Sequence, residues 1–181
     1  MLNRAIFALD PGGSTGVAWG IFAMGSTLDE TLKSKMFSGS DTLEGQERCQ
    51  IRKIAMLWMA FYRECVNDHS MDPTMVEFVC EDYVARHEGK SGRELTSPER
   101  IAWGVEGYRM GRGDEWMAKP GRRKNRELHV PPMILQLPSQ ASTLGTSKRL
   151  REWGVWVVGR EHERSAWKHV ALRLATLLKQ A

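Results

Sequence analysis

Paired cysteines are missing from this sequence. Its three, Cys49, Cys65 and Cys80, form no CxxC pair and fall in no His/Cys spacing suited to zinc. Each lies in an apolar stretch, which predicts buried, reduced thiols and a reducing compartment, the cytoplasm or, for a phage gene, that of the host. Long hydrophobic runs are missing too. No segment approaches the roughly 18 apolar residues of a membrane span, and the apolar run after Arg4 stops at Asp10, too early for a secretory signal. An excess of one charge is also absent: 26 Lys and Arg stand against 22 Asp and Glu, so the net charge of +4 permits a polyanionic partner without requiring one. No repeat, low-complexity tract or linker divides the 181 residues, which predicts a single domain over 1–181.

What is present is a succession of short apolar segments and helical periodicities. Residues 5 to 9 form an apolar run ending at Asp10-Pro11-Gly12-Gly13, a buried strand followed by a turn. Alternation of Val17, Trp19 and Ile21 predicts a second strand, and Leu32 and Met36 interleaved with Lys33 and Lys35 predict a third, the three making an antiparallel meander. Ile51, Ile54, Ala55, Trp58, Phe61 and Cys65 recur at helical spacing, with Ser40-Asp41-Thr42 offering the N-cap. Residues 75 to 80 are apolar except for Glu77 and predict a fourth strand ending at Glu81-Asp82. Ser97-Pro98 opens a helix with Ile101, Gly104, Val105 and Tyr108 on its apolar face. Val130 to Leu137 reads as a fifth strand and Ser147 to Gly154 as a short helix, with a further strand segment at Val155 to Val158. A last helix runs from about Glu161 to Lys179, turning Ala166, Val170, Leu174 and Leu177 inward. Three meander strands, then helices alternating with strands, give an α/β chain: an RNase H-like fold with a mixed five-stranded sheet flanked by helices.

In that arrangement acids stand at the ends of two buried strands, Asp10 on the first and Glu81 with Asp82 on the fourth. If these strands are neighbours, their carboxylates converge on one divalent ion. Mg²⁺, with Mn²⁺ as substitute, needs only two or three carboxylates because it keeps several waters and accepts substrate phosphate. Two such ions about 3.5–4 Å apart would activate a water and stabilise the leaving oxygen. Taken singly, Asp10 before Pro-Gly is ordinary turn chemistry and Glu81 an ordinary strand end.

Four stretches in order resemble the RuvC-type Holliday junction resolvases. Phe7-Ala8-Leu9-Asp10-Pro11-Gly12 with Thr15-Gly16 resembles their first motif, and Val79-Cys80-Glu81-Asp82-Tyr83 their second. Leu135 to Gln140 is similar to the strand before their third block, and His162 to Leu172 to their last-helix motif. The resemblance implies that Asp10 and Glu81 bind the catalytic metal, with Asp82 the understudy. It also implies a homodimer, since two symmetric nicks across a four-way junction need two sites. An aromatic wedge that opens the junction would fall at Tyr83, which equally continues the inward alternation of its strand.

One departure stands out. The resemblance implies a metal-binding aspartate on the last helix, three residues after an acid or histidine. His162 fits the earlier place, but the later one is Ser165, whose hydroxyl is a poor ligand for Mg²⁺. Glu161, His162, Ser165 and His169 lie near one another on a helix. Glu161 can therefore substitute as a ligand, or His162 can act as general base on the attacking water. The remaining alternative is a protein that binds junctions and cuts them weakly or not at all.

Cationic residues crowd the loops: Arg86, Lys90 and Arg93 after the second motif; Lys119, Arg122, Arg123, Lys124 and Arg126 before the fifth strand; and Lys148 with Arg149 and Arg151 on the short helix. Positive loops beside a carboxylate cluster suit DNA, whose phosphates the acids alone would repel. The expected function is structure-selective cleavage of branched DNA, with no membrane and no nucleotide cofactor. Two rivals are a sugar-kinase-like or actin-like ATPase, suggested by Asp10 to Gly16 but needing two such domains, and an RNase H-like nuclease acting on RNA.

Overall fold

The computed structural model describes residues 3–82, 98, 100–107 and 132–180. Among these, five strands form one mixed sheet in the order β3-β2-β1-β4-β5. The strands are β1 (Asn3–Asp10), β2 (Thr15–Ala23), β3 (Lys35–Leu43), β4 (Val76–Glu81) and β5 (Met133–Gln136). β1 pairs antiparallel with β2 and β2 with β3, while β1, β4 and β5 run parallel. The expected α/β architecture and mixed five-stranded sheet are therefore present.

Helices cover both faces, which is why the centres of β1, residues 5–9, and β4, residues 78–80, read as apolar runs rather than alternating ones. On one face Ala5, Phe7, Leu9, Phe78 and Cys80 pack against α2 (Glu47–Arg63) and against α3, which occupies residues 100–107. Ile101 and Val105 of α3 are fully buried, as its periodicity predicts. On the other face Ile6, Ala8, Ala18 and Val79 pack against α6 (Glu161–Leu178), whose Ala166, Val170, Leu174 and Leu177 point inward. Two short helices, α4 (Pro138–Leu144) and α5 (Ser147–Glu152), lead from β5 to α6. No helix among the described residues is long and apolar enough to cross a membrane.

Four expectations are corrected. Leu32 and Lys33 belong not to a third strand but to a helix, α1 (Leu28–Lys33), so β2 and β3 are joined by a helix rather than a tight turn. Thr27 and Glu30 form a reciprocal capping box that starts α1. Ser40, Asp41 and Thr42 do not cap α2: they pair with β2 inside β3, and the cap residue is Gln46. Residues 155 to 158 form no strand, because their backbone is held elsewhere: Val155 donates to the Leu150 carbonyl and Arg164 donates to that of Val157. Finally, Cys65 and Cys80 are buried but Cys49, on the outer side of α2, is exposed.

Candidate active site

Parallel pairing of β1 with β4 places Leu9 opposite Cys80, so the next pair in register is Asp10 and Glu81. Neighbouring strands lie about 4.8 Å apart. Side chains alternate between faces, so Asp10 and Glu81 share the α6 face with Ala8 and Val79. On β5, Gln136 pairs with Glu81 and continues the row on that face beyond Ile134. Asp10, Glu81 and Gln136 thus end three adjacent parallel strands, all buried; each carboxylate residue is only 5% exposed.

Helix α6 lies over this row and presents two histidines seven residues apart. His162 Nδ1 is 3.4 Å from Asp10 Oδ2, and its ring is nearly half exposed, at 44%. The ring of His169 bridges the other two: Nε2 lies 3.2 Å from Glu81 Oε2 and Nδ1 lies 3.0 Å from Gln136 Oε1. His169 is 1% exposed. Strand alternation assigns Asp82, like Cys80, to the opposite face, so Glu81 and not Asp82 is the partner of Asp10. Acid is dense here nonetheless. Burial pushes the Cys80 thiol well above the usual thiol range, and the negative charges of Asp10, Glu81, Asp82 and Glu106 raise it further.

The turn after β1 is tied down by a residue the sequence did not single out. Gln50 of α2 accepts from the Thr15 hydroxyl at 2.5 Å and donates to the carbonyls of Gly13 and Gly45 at 2.9 and 2.8 Å. Gly16 is required for a different reason. A Cβ there would run into the His162 carbonyl oxygen and lie 2.8 Å from the Glu163 nitrogen, so glycine lets β2 touch the first turn of α6.

That first turn is anchored by Glu163, whose carboxylate accepts from Ser40 at 2.7 Å, Thr42 at 3.0 Å and Arg160 at 2.8 Å. Burial alone would raise its carboxyl, but these hydrogen bonds and the Arg160 charge outweigh burial and hold it below the usual carboxylate range. Farther along α6, Arg173 grips Glu77 of β4 through two bonds of 2.6 and 2.8 Å. The helix is therefore pinned to the sheet between its histidines, at Glu163, and again beyond them, at Arg173.

Of the residues singled out in the sequence, Asp10, Glu81 and His162 come together. Ser165 lies on α6 between the two histidines, three residues after one and four before the other. Glu161 is exposed on the first turn of α6. Lys148 is exposed and lies 3.9 Å from Glu152. Tyr83, Arg86, Lys90, Arg93, Lys119, Arg122, Arg123, Lys124 and Arg126 lie outside the described residues. Among the described residues no three His, Cys, Asp or Glu side chains are grouped so as to hold a metal ion by themselves. What the site offers is two carboxylates on one face and an imidazole at the rim. Such a donor set fits Mg²⁺, which completes its shell with waters and phosphate oxygens. Gln136, Gln50 and Glu163 went unread, and His169 was placed near His162 with no role assigned, because a lone polar residue carries no sign of its partner.

No protein-family model matches this chain, and no curated protein is similar to it in sequence. Its fold is that of RuvC. The structure of Thermus thermophilus RuvC superposes with a TM-score of 0.50 at 9% identity, covering 97% of each chain. The same protein in complex with a Holliday junction substrate gives a TM-score of 0.47 at 11% identity, covering 98% of this chain and 94% of that one.

Proposed function

We propose that this chain is a divalent-metal-dependent endonuclease that hydrolyses phosphodiester bonds in branched DNA, four-way junctions above all. The observation that carries the reading is the placement of Asp10 beside Glu81: two buried carboxylates on one face of neighbouring parallel strands, each against a histidine of α6. Two like charges in a site poor in water are unfavourable without a cation to share. The RuvC fold and the four motifs in order support DNA as the substrate, and a homodimer would supply the second site for a paired cut. The basic residues between 86 and 126 are proposed to contact the DNA arms.

Asp10 and Glu81 would hold Mg²⁺ or Mn²⁺. Such an ion, when bound, neutralises charge on the phosphate and acidifies a water. The remaining roles belong to the chain. His162 is half exposed beside Asp10 and is the described group best placed to take the proton from the attacking water. His169, 3.2 Å from the Glu81 carboxylate, restrains that side chain within the site.

A second reading, a junction-binding protein that cuts weakly, is favoured by Ser165 and by the lack of a third carboxylate among the described residues. One experiment separates the two: a synthetic four-way junction and a linear duplex are incubated with Mg²⁺ or Mn²⁺ beside Asp10→Asn and Ser165→Asp. The nuclease reading expects junction-selective nicking, lost in Asp10→Asn and raised in Ser165→Asp. Tight junction binding with no cleavage in any of the three proteins selects the binding reading.

A further inference from the structure

Trp156, in the segment between α5 and α6, carries two guanidinium groups against its ring. Arg151 Cζ lies 4.4 Å from the ring centroid and Arg164 Cζ 4.6 Å. Trp156 is itself packed on the core beneath α6, so the stack is built on a fixed base. Arg164 is further held by its bond to the Val157 carbonyl at 2.7 Å. Arg151 is exposed, and neither arginine lies within ion-pair range of a described carboxylate.

Two guanidinium groups on one indole repel each other, at a cost of the same order as the cation–π attraction that holds them. An anion shared by both would relieve that repulsion. A guanidinium stacked by its face keeps its N–H edge free, and that edge matches a phosphate bidentately. Other cations lie close by in sequence: Lys148, Arg149 and Arg160 are all exposed. The neighbouring acids are largely engaged, Glu163 with Arg160 and Glu152 with Lys148. Arg164 is two residues from His162, about 200° around a helix of 3.6 residues per turn. The stack therefore flanks the active site instead of entering it.

We infer that Arg151, Trp156 and Arg164 form a docking surface for the phosphodiester backbone of a DNA arm outside the cleavage site. This inference rests on the nuclease reading for the identity of the polyanion. Being a backbone contact, it serves a junction arm and a linear duplex alike.

The test measures binding of a fluorescent four-way junction and of a linear duplex by anisotropy, in EDTA, across a salt series. Arg151→Gln is expected to weaken both complexes about three- to tenfold at low salt and to lower the slope of log K against log salt by roughly 0.9, one phosphate contact. Arg151→Lys is expected to keep the slope, and Lys53→Gln, an equal change of charge on the exposed side of α2, to match the parent. An Arg151→Gln protein with the parent's affinity and slope, or a loss no larger than that of Lys53→Gln, overturns the inference. A parent that binds DNA through Arg151 yet never cuts overturns the nuclease reading and leaves this surface standing. A parent that binds neither DNA overturns both.

Discussion

Glu81 and His169 stand 88 positions apart in the chain and 3.2 Å apart in the fold. Both are buried, so each supplies the other with a hydrogen-bonding partner where water would otherwise serve. Removing the ring by His169→Ala leaves oxygens of Glu81 and Gln136 without that partner. Stability should fall by about 1–3 kcal/mol in urea titration, the usual cost of stranding a buried polar group. Junction cleavage should drop further, about 10–100-fold, as when an outer partner of a metal-binding carboxylate is lost. His169→Ala cleaving at the parental rate would contradict the positioning role. Asp10 and Glu81 were legible because an apolar run that stops at an acid is a visible pattern. His169 was placed near His162 on the helix, but its partners were not legible, since a histidine on the inward side of an amphipathic helix looks like any other core residue until they are known.

At the scale of the element, α6 decides whether the site is assembled, and Glu163 fixes its first turn to β3. Its folded carboxyl titrates below the unfolded value near 4.5. The stabilisation is therefore fully present above about pH 4.5 and is lost as pH falls through the folded value. Thermal unfolding from pH 6 down to pH 3 should show this loss, and Glu163→Gln should flatten that part of the profile while costing about 1–3 kcal/mol at neutral pH. An unchanged profile in the variant would place the acid sensitivity elsewhere. The strands and long helices were readable from periodicity, whereas α1 was not. Six residues give too little of a helical repeat, although the Thr27 and Glu30 spacing of its capping box was there to be seen. Ser40 and Thr42 were mistaken for a cap because hydroxyls beside an acid favour that role locally. Their actual partner, Glu163, is more than 120 residues away.

Over the whole molecule, the sheet's two faces are unequal in kind. The α2 side is aromatic: Phe7 stacks on Phe78 at 5.4 Å and on Trp19 at 5.9 Å, and meets Trp58 edge-on at 5.7 Å. On the α6 side β1 and β4 present the smaller Ile6, Ala8 and Val79, with Phe22, Trp153 and Trp167 in the same cluster, and the strands end in the polar row. Phe7 is three residues from Asp10, so the aromatic cluster sets the strand on which the site depends. Phe7→Ala should cost about 3–5 kcal/mol in global stability, read from chemical denaturation. A loss below about 1 kcal/mol would mean the cluster repacks freely.

The polar row and the two histidines come from positions 10, 81, 136, 162 and 169, the last two on α6. The row is complete only once α6 has emerged and docked. A product cut short ahead of residue 161 would lack both histidines and, on the nuclease reading proposed above, should leave DNA uncut.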